Sequence, residues 1–460
     1  MKKILIIGVV LLSMVSCRKW LEIKPEDSQL ESEAVKSQED LAKILNSCYD
    51  ASANHFNGRT QFFNELLGDN LEKPQSGFTT SVWFRTTNFF NSDVSGLYGD
   101  LYNVVFRLNF ILLKLEDGTI EVNPEFKKRV TGEVKFLRAM IHFEIVRLWA
   151  QPYGFKADNS HLGIVIRDKV STSPKARATV GEVYSFIIGD LTEAIDKMES
   201  TNNNYATKDA GKALLAKVYF QMNDYEKVKT ICNELIPNYT MDSTLNRFSN
   251  ALTSSENIFS FVSTGVGDNR AATYINNYRI VNPSNPSPIR LSKSLYTEGV
   301  SDTSDKRSKY YVIFNPGDAS ETYGITKFNA DFFSNPISYL TQLKLMRAEA
   351  LGILNSDLVT GIDDVNDVLE RAYGSNIKNL PTNTSATDLV FMARKQSRLE
   401  FPCEGNRVQD LKRIGVKDDP NGTGTVLIRG SKWNCAGLAL QFPVSENTDL
   451  FIFNTEGGCE

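Results

Sequence analysis

The stretch AGKALLAKVYFQMNDYEKVKTICNELIPN, residues 210–238, constrains the fold more than any other part of the chain. It contains one helical run ending near Met222, a turn at Asn223-Asp224, and a second run ending before Pro237. Ala213, Tyr219, Asp224, Tyr225, Glu226, Lys227 and Pro237 stand where a tetratricopeptide hairpin of about 34 residues puts them. Such a hairpin buries its apolar face only against a neighbour, so several are expected to stack as a solenoid. A weaker copy is YLTQLKLMRAEALGILNS, residues 339–356, where Leu343, Met346, Ala350 and Ile353 line one face. Ile362 to Tyr373 is its returning helix, and the small Ala348 and Ala350 let two helices approach closely.

Two further helices precede these. Phe126, Val130, Val134, Leu137, Ile141, Ile145 and Leu148 form one stripe at helical spacing, opened by Asn123-Pro124 and closed by Pro152. From about Val180 to Met198 runs a second helix, with Thr179 as its cap and Glu182 at the capping-box position. Between the helices lie two irregular zones. Residues 71–97 mix Gly, Ser, Thr and Asn with aromatics, and residues 239–337 are rich in Asn, Ser, Thr and Pro. Stretches that long without structure are usually functional or contain short strands, and Asn257 to Val262 reads as one strand. The expected fold is mainly α: a tetratricopeptide-like helix-hairpin solenoid with long irregular loops and a few short strands.

The N-terminus indicates a destination. Met1-Lys2-Lys3 precedes an apolar run from Ile4 to Val15, shorter than the roughly 20 residues a spanning helix needs. This is the pattern of a secretory signal. Val15-Ser16-Cys17 resembles a bacterial lipobox, although Met14 stands where Leu is commoner. That resemblance makes Cys17 the lipidated N-terminus, held in the membrane by its acyl chains. The expected organisation is a lipoprotein signal peptide at 1–16, a lipidated tether at 17–30 and one unit at 31–460, with an N-terminal part to about 240 and a C-terminal part from about 241. The formal charge of −4, about −6 once Lys2 and Lys3 are removed, argues against nucleic acid. Cys48, Cys232, Cys403, Cys435 and Cys459 remain besides Cys17. None form a C-x-x-C pair, so no zinc site is expected. Buried free thiols are the reading adopted for them, with a Cys435–Cys459 bridge as the alternative open in an oxidising compartment.

No motif of a nucleophile elbow, phosphate loop or zinc helix is present. Of the three histidines, His142 lies in a strongly helical segment and reads as structural. The cluster Asp363-Asp364-Val365-Asn366-Asp367 lacks the Gly and terminal Glu of a calcium loop and reads as a solvated helix start. No metal and no cofactor are expected.

Several segments, in order along the chain, resemble the SusD/RagB family of Bacteroidetes lipoproteins. They are the start Cys17 to Pro25 with Trp20, Leu21 and Glu22; the helix Gly132 to Ala139 ending in Arg147-Leu148-Trp149; and the string Pro174, Arg177, Thr179, Val180, Glu182, Val183, Tyr184, Asp190, Leu191 and Ala194. Near the end, Glu400, Glu404, Gly405, Arg407, Asp410, Leu411 and Arg413 match the family's E-x-x-x-E-G-x-R-x-x-D-L-x-R element, and Phe442 to Glu446 and Asn454 to Gly457 resemble its closing segments. Gln396-Ser397, Cys403 and Val408-Gln409 depart from the family pattern. Arg407 and Asp410 are expected to pair with Glu400 and Glu404 in a buried network, although Pro402 argues against an unbroken helix there.

The resemblance implies a cell-surface binding protein of the outer membrane, not an enzyme. Such a protein hands oligosaccharides, or sometimes peptides, to a SusC-like TonB-dependent transporter. Sugar rings stack on aromatics, and the loop at 76–90 offers Trp83, Phe84, Arg85 and Asn88, with Trp83 the leading candidate. Tyr274, Tyr278 and Tyr323 come from the second irregular zone, and Asn70 lies in a turn. Rival readings are a tetratricopeptide scaffold that binds a protein partner with no small ligand of its own and, third, a surface hydrolase.

Overall fold

The computed structural model describes residues 35–75, 77–249, 251–282 and 284–459. The signal peptide, Cys17 and the tether fall outside the described residues.

Several helices begin at a capping side chain, whereas the second and third begin at glycines without one. Ser37 caps α1 (Gln38–Phe56), α2 spans Arg59–Leu67 and α3 Phe78–Trp83, and Asn91 caps α4 (Ser92–Glu116). Asn123 caps α5 (Pro124–Trp149), and Thr179 with Glu182 closes the expected capping box on α6 (Val180–Lys197). Thr207 and Asp224 cap α7 (Lys208–Gln221) and α8 (Tyr225–Leu235), with Asn223 at positive φ in the turn between them. From α4 to α8 each helix packs on the one before it, and α1 packs on α4. At Gly132 of α5 a Cβ would stand 2.8 Å from the Met198 side chain, so the α5–α6 crossing depends on that glycine.

The stack continues after a gap of about one hundred residues: α8 packs on α11 (Leu340–Leu354), which packs on α12 (Leu358–Tyr373) and α13 (Ala386–Glu400). The zone 239–337 is therefore an insertion in the solenoid. It holds β1 (Asn257–Phe261) paired antiparallel with β4 (Asn335–Tyr339), β2 (Tyr311–Phe314) paired with β3 (Thr322–Ile325), and the short helices α9 (Ala272–Tyr278) and α10 (Lys293–Gly299). A last helix, α14 (Arg407–Asp418), packs on α2 and precedes the small hairpin β5 (Leu427–Ile428) and β6 (Ser431–Lys432).

Three expectations are corrected. Helix α12 begins at Leu358, four residues before Ile362, so the Asp363–Asp367 cluster lies within the helix. Asp364 is only 1% exposed and accepts from Lys344 at 2.9 Å and from Arg347 at 2.7 and 2.8 Å, which compensates its burial. Cys435 and Cys459 form a disulfide, while Cys48, Cys232 and Cys403 are buried free thiols. The carboxylates of the C-terminal motif also take partners distant in sequence. Chain direction changes after Glu400, with Cys403 and Gly405 at positive φ, so Glu400 and Glu404 do not share a helix. Glu400 instead accepts from Arg307 and Arg371, each at 2.8 Å. Glu404 takes Arg247 at 2.6 Å together with Lys327. Arg407 pairs with Asp69 at 2.7 Å, and Arg413 with Glu349 at 3.0 Å. His142 is buried as structural: its Nδ1 meets the Arg138 carbonyl at 2.8 Å.

Burial alone would raise the Glu400 carboxyl, but Arg371 and Arg307 outweigh it and hold it below its ordinary 4.5. Its contribution to stability is present above pH 4.5 and fades as pH falls through the lower folded value. Arg371→Met leaves Glu400 and Glu256 each short of one cation and is expected to cost about 3–5 kcal/mol. Urea titration checks this, and the loss of stability below pH 4.5 should be smaller in the variant than in the wild type. The bridge spans 24 residues, so Cys435→Ser with Cys459→Ser should lower stability by about 3 kcal/mol, read by the same titration.

Candidate functional site

The insertion meets the N-terminal loops at a short three-strand ribbon. Leu71 pairs with Leu291, and Leu291 with Tyr323. Ser292 N donates to the Asn70 carbonyl at 2.8 Å, Glu72 N to Arg290 at 3.0 Å, and Leu291 N to Tyr323 at 2.9 Å. Leu71 and Leu291 are buried, which pins the ribbon to the core.

Each flank of the ribbon carries aromatics. On one side Trp83, at the end of α3, donates its indole N–H to the Leu71 carbonyl at 3.4 Å. The Arg429 guanidinium lies 4.1 Å from the centre of that indole ring and donates to the carbonyls of Leu66 and Trp83. Phe84 stands edge-on to Trp83 at 5.0 Å and is 45% exposed, with the Lys73 ammonium 5.0 Å from its ring. On the other side Tyr323 stacks on Tyr296 at 4.5 Å, and its hydroxyl donates to Glu321.

Trp83, Phe84, Asn70 and Tyr323 thus gather round one ribbon although they are far apart in sequence. Their roles differ from those expected. Asn70 is buried, donating to Glu65 at 3.0 Å and accepting from Arg398 at 3.3 Å. Glu65, whose carboxyl burial pushes up to about 7, also accepts from Gly405 N. Arg85 is a buried strut that donates to the Ile428 and Leu67 carbonyls at 2.8 and 3.1 Å. Tyr274 stacks on Phe328 at 4.9 Å, and Tyr278, 1% exposed, lies 5.5 Å from the same ring. Tyr323 is buried behind Tyr296. These five are buried, in place of the exposed loop positions expected of them. Asn88 stays exposed, its side chain accepting from Phe90 N at 3.0 Å to hold a turn. Phe84 therefore offers more free ring than Trp83, one face of which Arg429 covers.

Lys73, Tyr296 and Arg429 were not singled out from the sequence. Arg429 lies some 350 residues from Trp83, and no local pattern connects them. A deeper cavity between α5, α7 and β4 places Arg147, Lys217 and Arg247 against Glu144 and Glu404. Burial, with Arg147 and Arg247 adding to it, pushes the Lys217 ammonium down to about 7. Its volume of about 90 Å³ is well below the 300 Å³ or so at which ligand pockets begin. Among the described residues no cluster of His, Cys, Asp and Glu is arranged to hold a metal.

The fold is a helix-hairpin solenoid with an aromatic loop surface, and comparison with known proteins shows what it is similar to. Residues 19–220 match the family SusD-like_3, described as starch-binding associating with outer membrane. A SusD-like protein of Formosa agariphila is 26% identical over 261 residues, 54% of this chain and 48% of that protein. A second from the same organism is 20% identical over 51% of this chain and 46% of its own length, so the chain spans about half the length of the curated relatives it matches. A SusD superfamily structure from Bacteroides thetaiotaomicron superposes with a TM-score of 0.77 at 18% identity, covering 91% of this chain and all of that one. A laminarin-binding SusD-like protein gives 0.70 at 20% identity, with 91% and 99% covered. Over residues 19–220 the chain is similar to this SusD-like family, and its fold is that of the SusD superfamily structures. That family is associated with the outer membrane, and among the described residues no helix is long and apolar enough to cross a membrane.

The division between surface and core rings is directly measurable. Phe84→Ala should leave stability within about 0.5 kcal/mol of wild type, whereas Tyr278→Ala should cost about 3–5 kcal/mol in a denaturant titration.

Proposed function

We propose that the protein captures oligosaccharide at the cell surface, on the face carrying Phe84 and Trp83, and passes it to a SusC-like TonB-dependent transporter. It acts as a binding protein and not an enzyme, held at the outer membrane by lipid on Cys17. The observation that carries this reading is Phe84. A large ring is left 45% exposed, braced edge-on by Trp83, with Lys73 beside it and Arg429 over the neighbouring indole. The ring supplies an apolar face for sugar C–H groups, and the cations supply donors for hydroxyls. Because Arg429 and the Leu71 carbonyl fix Trp83, little ordering remains to be done on binding. The family's description as starch-binding and a laminarin-binding neighbour support a glycan over a peptide.

The test is calorimetry on the chain lacking its first 17 residues, titrated with neutral gluco-oligosaccharides and with short peptides. Folding of every variant is checked by circular dichroism. Oligosaccharide binding should weaken about tenfold in Phe84→Ala, as expected when roughly 1.5 kcal/mol of ring contact is lost. Trp83→Ala should lose more, since it removes the brace as well. Binding of peptides alone, or undiminished oligosaccharide binding in both variants, would overturn the assignment.

A further inference from the structure

A second groove, of about 350 Å³, opens between the turn after α5 and the C-terminal tail, and none of its lining residues belongs to the Phe84 surface. Its volume lies within the range of small-molecule sites. Residues 434–439 and 453–455 form one wall, and the Cys435–Cys459 bridge fastens these two tail segments together. Half-buried Phe155 and Phe453 supply the apolar surface, one from each side of the groove.

Two buried polar atoms at this groove have no protein partner. His161, 7% exposed, approaches the Gln151 carbonyl through Nε2 at 3.3 Å, but its Nδ1 is buried and unpaired. Gln151 donates to the Cys435 carbonyl at 3.1 Å, while its Oε1 is likewise buried and unpaired. Native structures leave few such atoms unsatisfied, and these two lie beside the groove.

The charge is one-sided. Lys156 is exposed at the groove and Arg177 lines it, while no Asp or Glu does. Arg177 donates to the carbonyls of Gly163, Leu162 and Ile452 at 2.7, 3.0 and 2.8 Å. That uses three of its five N–H groups and leaves its charge without a lining carboxylate. Two rings, several hydroxyl and amide groups and two cations with no carboxylate in the lining match a sugar that carries a carboxylate.

We propose that this groove binds a hexuronate residue, its carboxylate between Lys156 and Arg177 and its ring between Phe155 and Phe453. The inference rests on the reading of the chain as a saccharide-binding protein, and adds a second site with a different charge preference.

The probe is trigalacturonate, compared by calorimetry with its fully methyl-esterified form, which keeps the rings and removes the charge. The acid should bind at least tenfold more tightly than the ester, and the difference should shrink in 0.5 M salt, where the Debye length is only about 4 Å. Lys156→Gln, at an exposed position, should weaken the acid about five- to tenfold and leave neutral gluco-oligosaccharide binding unchanged. Phe453→Ala should weaken both acid and ester, and Phe84→Ala should affect neither. Equal affinity for acid and ester, no binding of the acid at millimolar concentration, or loss of acid binding in Phe84→Ala but not in Lys156→Gln would overturn the proposal. Neutral oligosaccharide binding without trigalacturonate binding sinks this site alone, whereas absence of both sinks the saccharide reading as well.

Discussion

Glu400 ends α13 facing two guanidinium groups, Arg307 and Arg371, and the placement of the loops depends on that encounter. Arg371 reaches on to Glu256 at 2.6 Å, and Arg247 and Lys327 converge on Glu404. Arg247, Glu256, Arg307 and Lys327 belong to the insertion, whereas Arg371, Glu400 and Glu404 belong to the helical stack and the turn that follows it. Buried ions of this kind are poor sources of net stability, because desolvation offsets most of the attraction. What they impose is arrangement. Moving the insertion away from the stack would strand several buried charges at once.

The candidate site follows from that arrangement. The insertion supplies two of the three strands in the ribbon, at 290–292 and 323, and the N-terminal loop supplies the third at 70–72. Arg407–Asp69 and Arg398–Glu298, both at 2.7 Å, tie the same loop and insertion to the C-terminal helices. Trp83 is then held by a carbonyl from the loop and a guanidinium from a hairpin near the end of the chain. A rigid platform for Phe84 is assembled from parts separated by hundreds of residues. The disulfide plays a comparable part at the C-terminal tail, where it fastens one wall of the second groove.

Much of the scaffold was legible in the sequence because helices report themselves locally. The α5 stripe, the Thr179–Glu182 box and the α7–α8 hairpin are set by residues three or four apart, and each begins within two residues of where pattern and caps put it. Helix α12 was placed four residues late because an aspartate cluster reads as solvated when Lys344 and Arg347, on the preceding helix, are out of view. The site was less legible. Tyr274, Ile275 and Tyr278 form the buried face of a helix too short to show a period within a polar stretch, so the two tyrosines read as loop aromatics. Tyr323 read as exposed because its strand is only four residues long.

The sequence by itself determined that this chain would be a stack of amphipathic helix hairpins, and that one aromatic loop lies between its helices. Those properties rest on near-neighbour spacing and capping chemistry. Only the tertiary structure decided which aromatics remain free, which carboxylates meet which cations, and that Cys435 reaches Cys459. Each of those depends on contacts between segments whose separation along the chain carries no trace of their proximity in space. The same Tyr or Asn is ligand-facing or core according to what the rest of the fold lays over it.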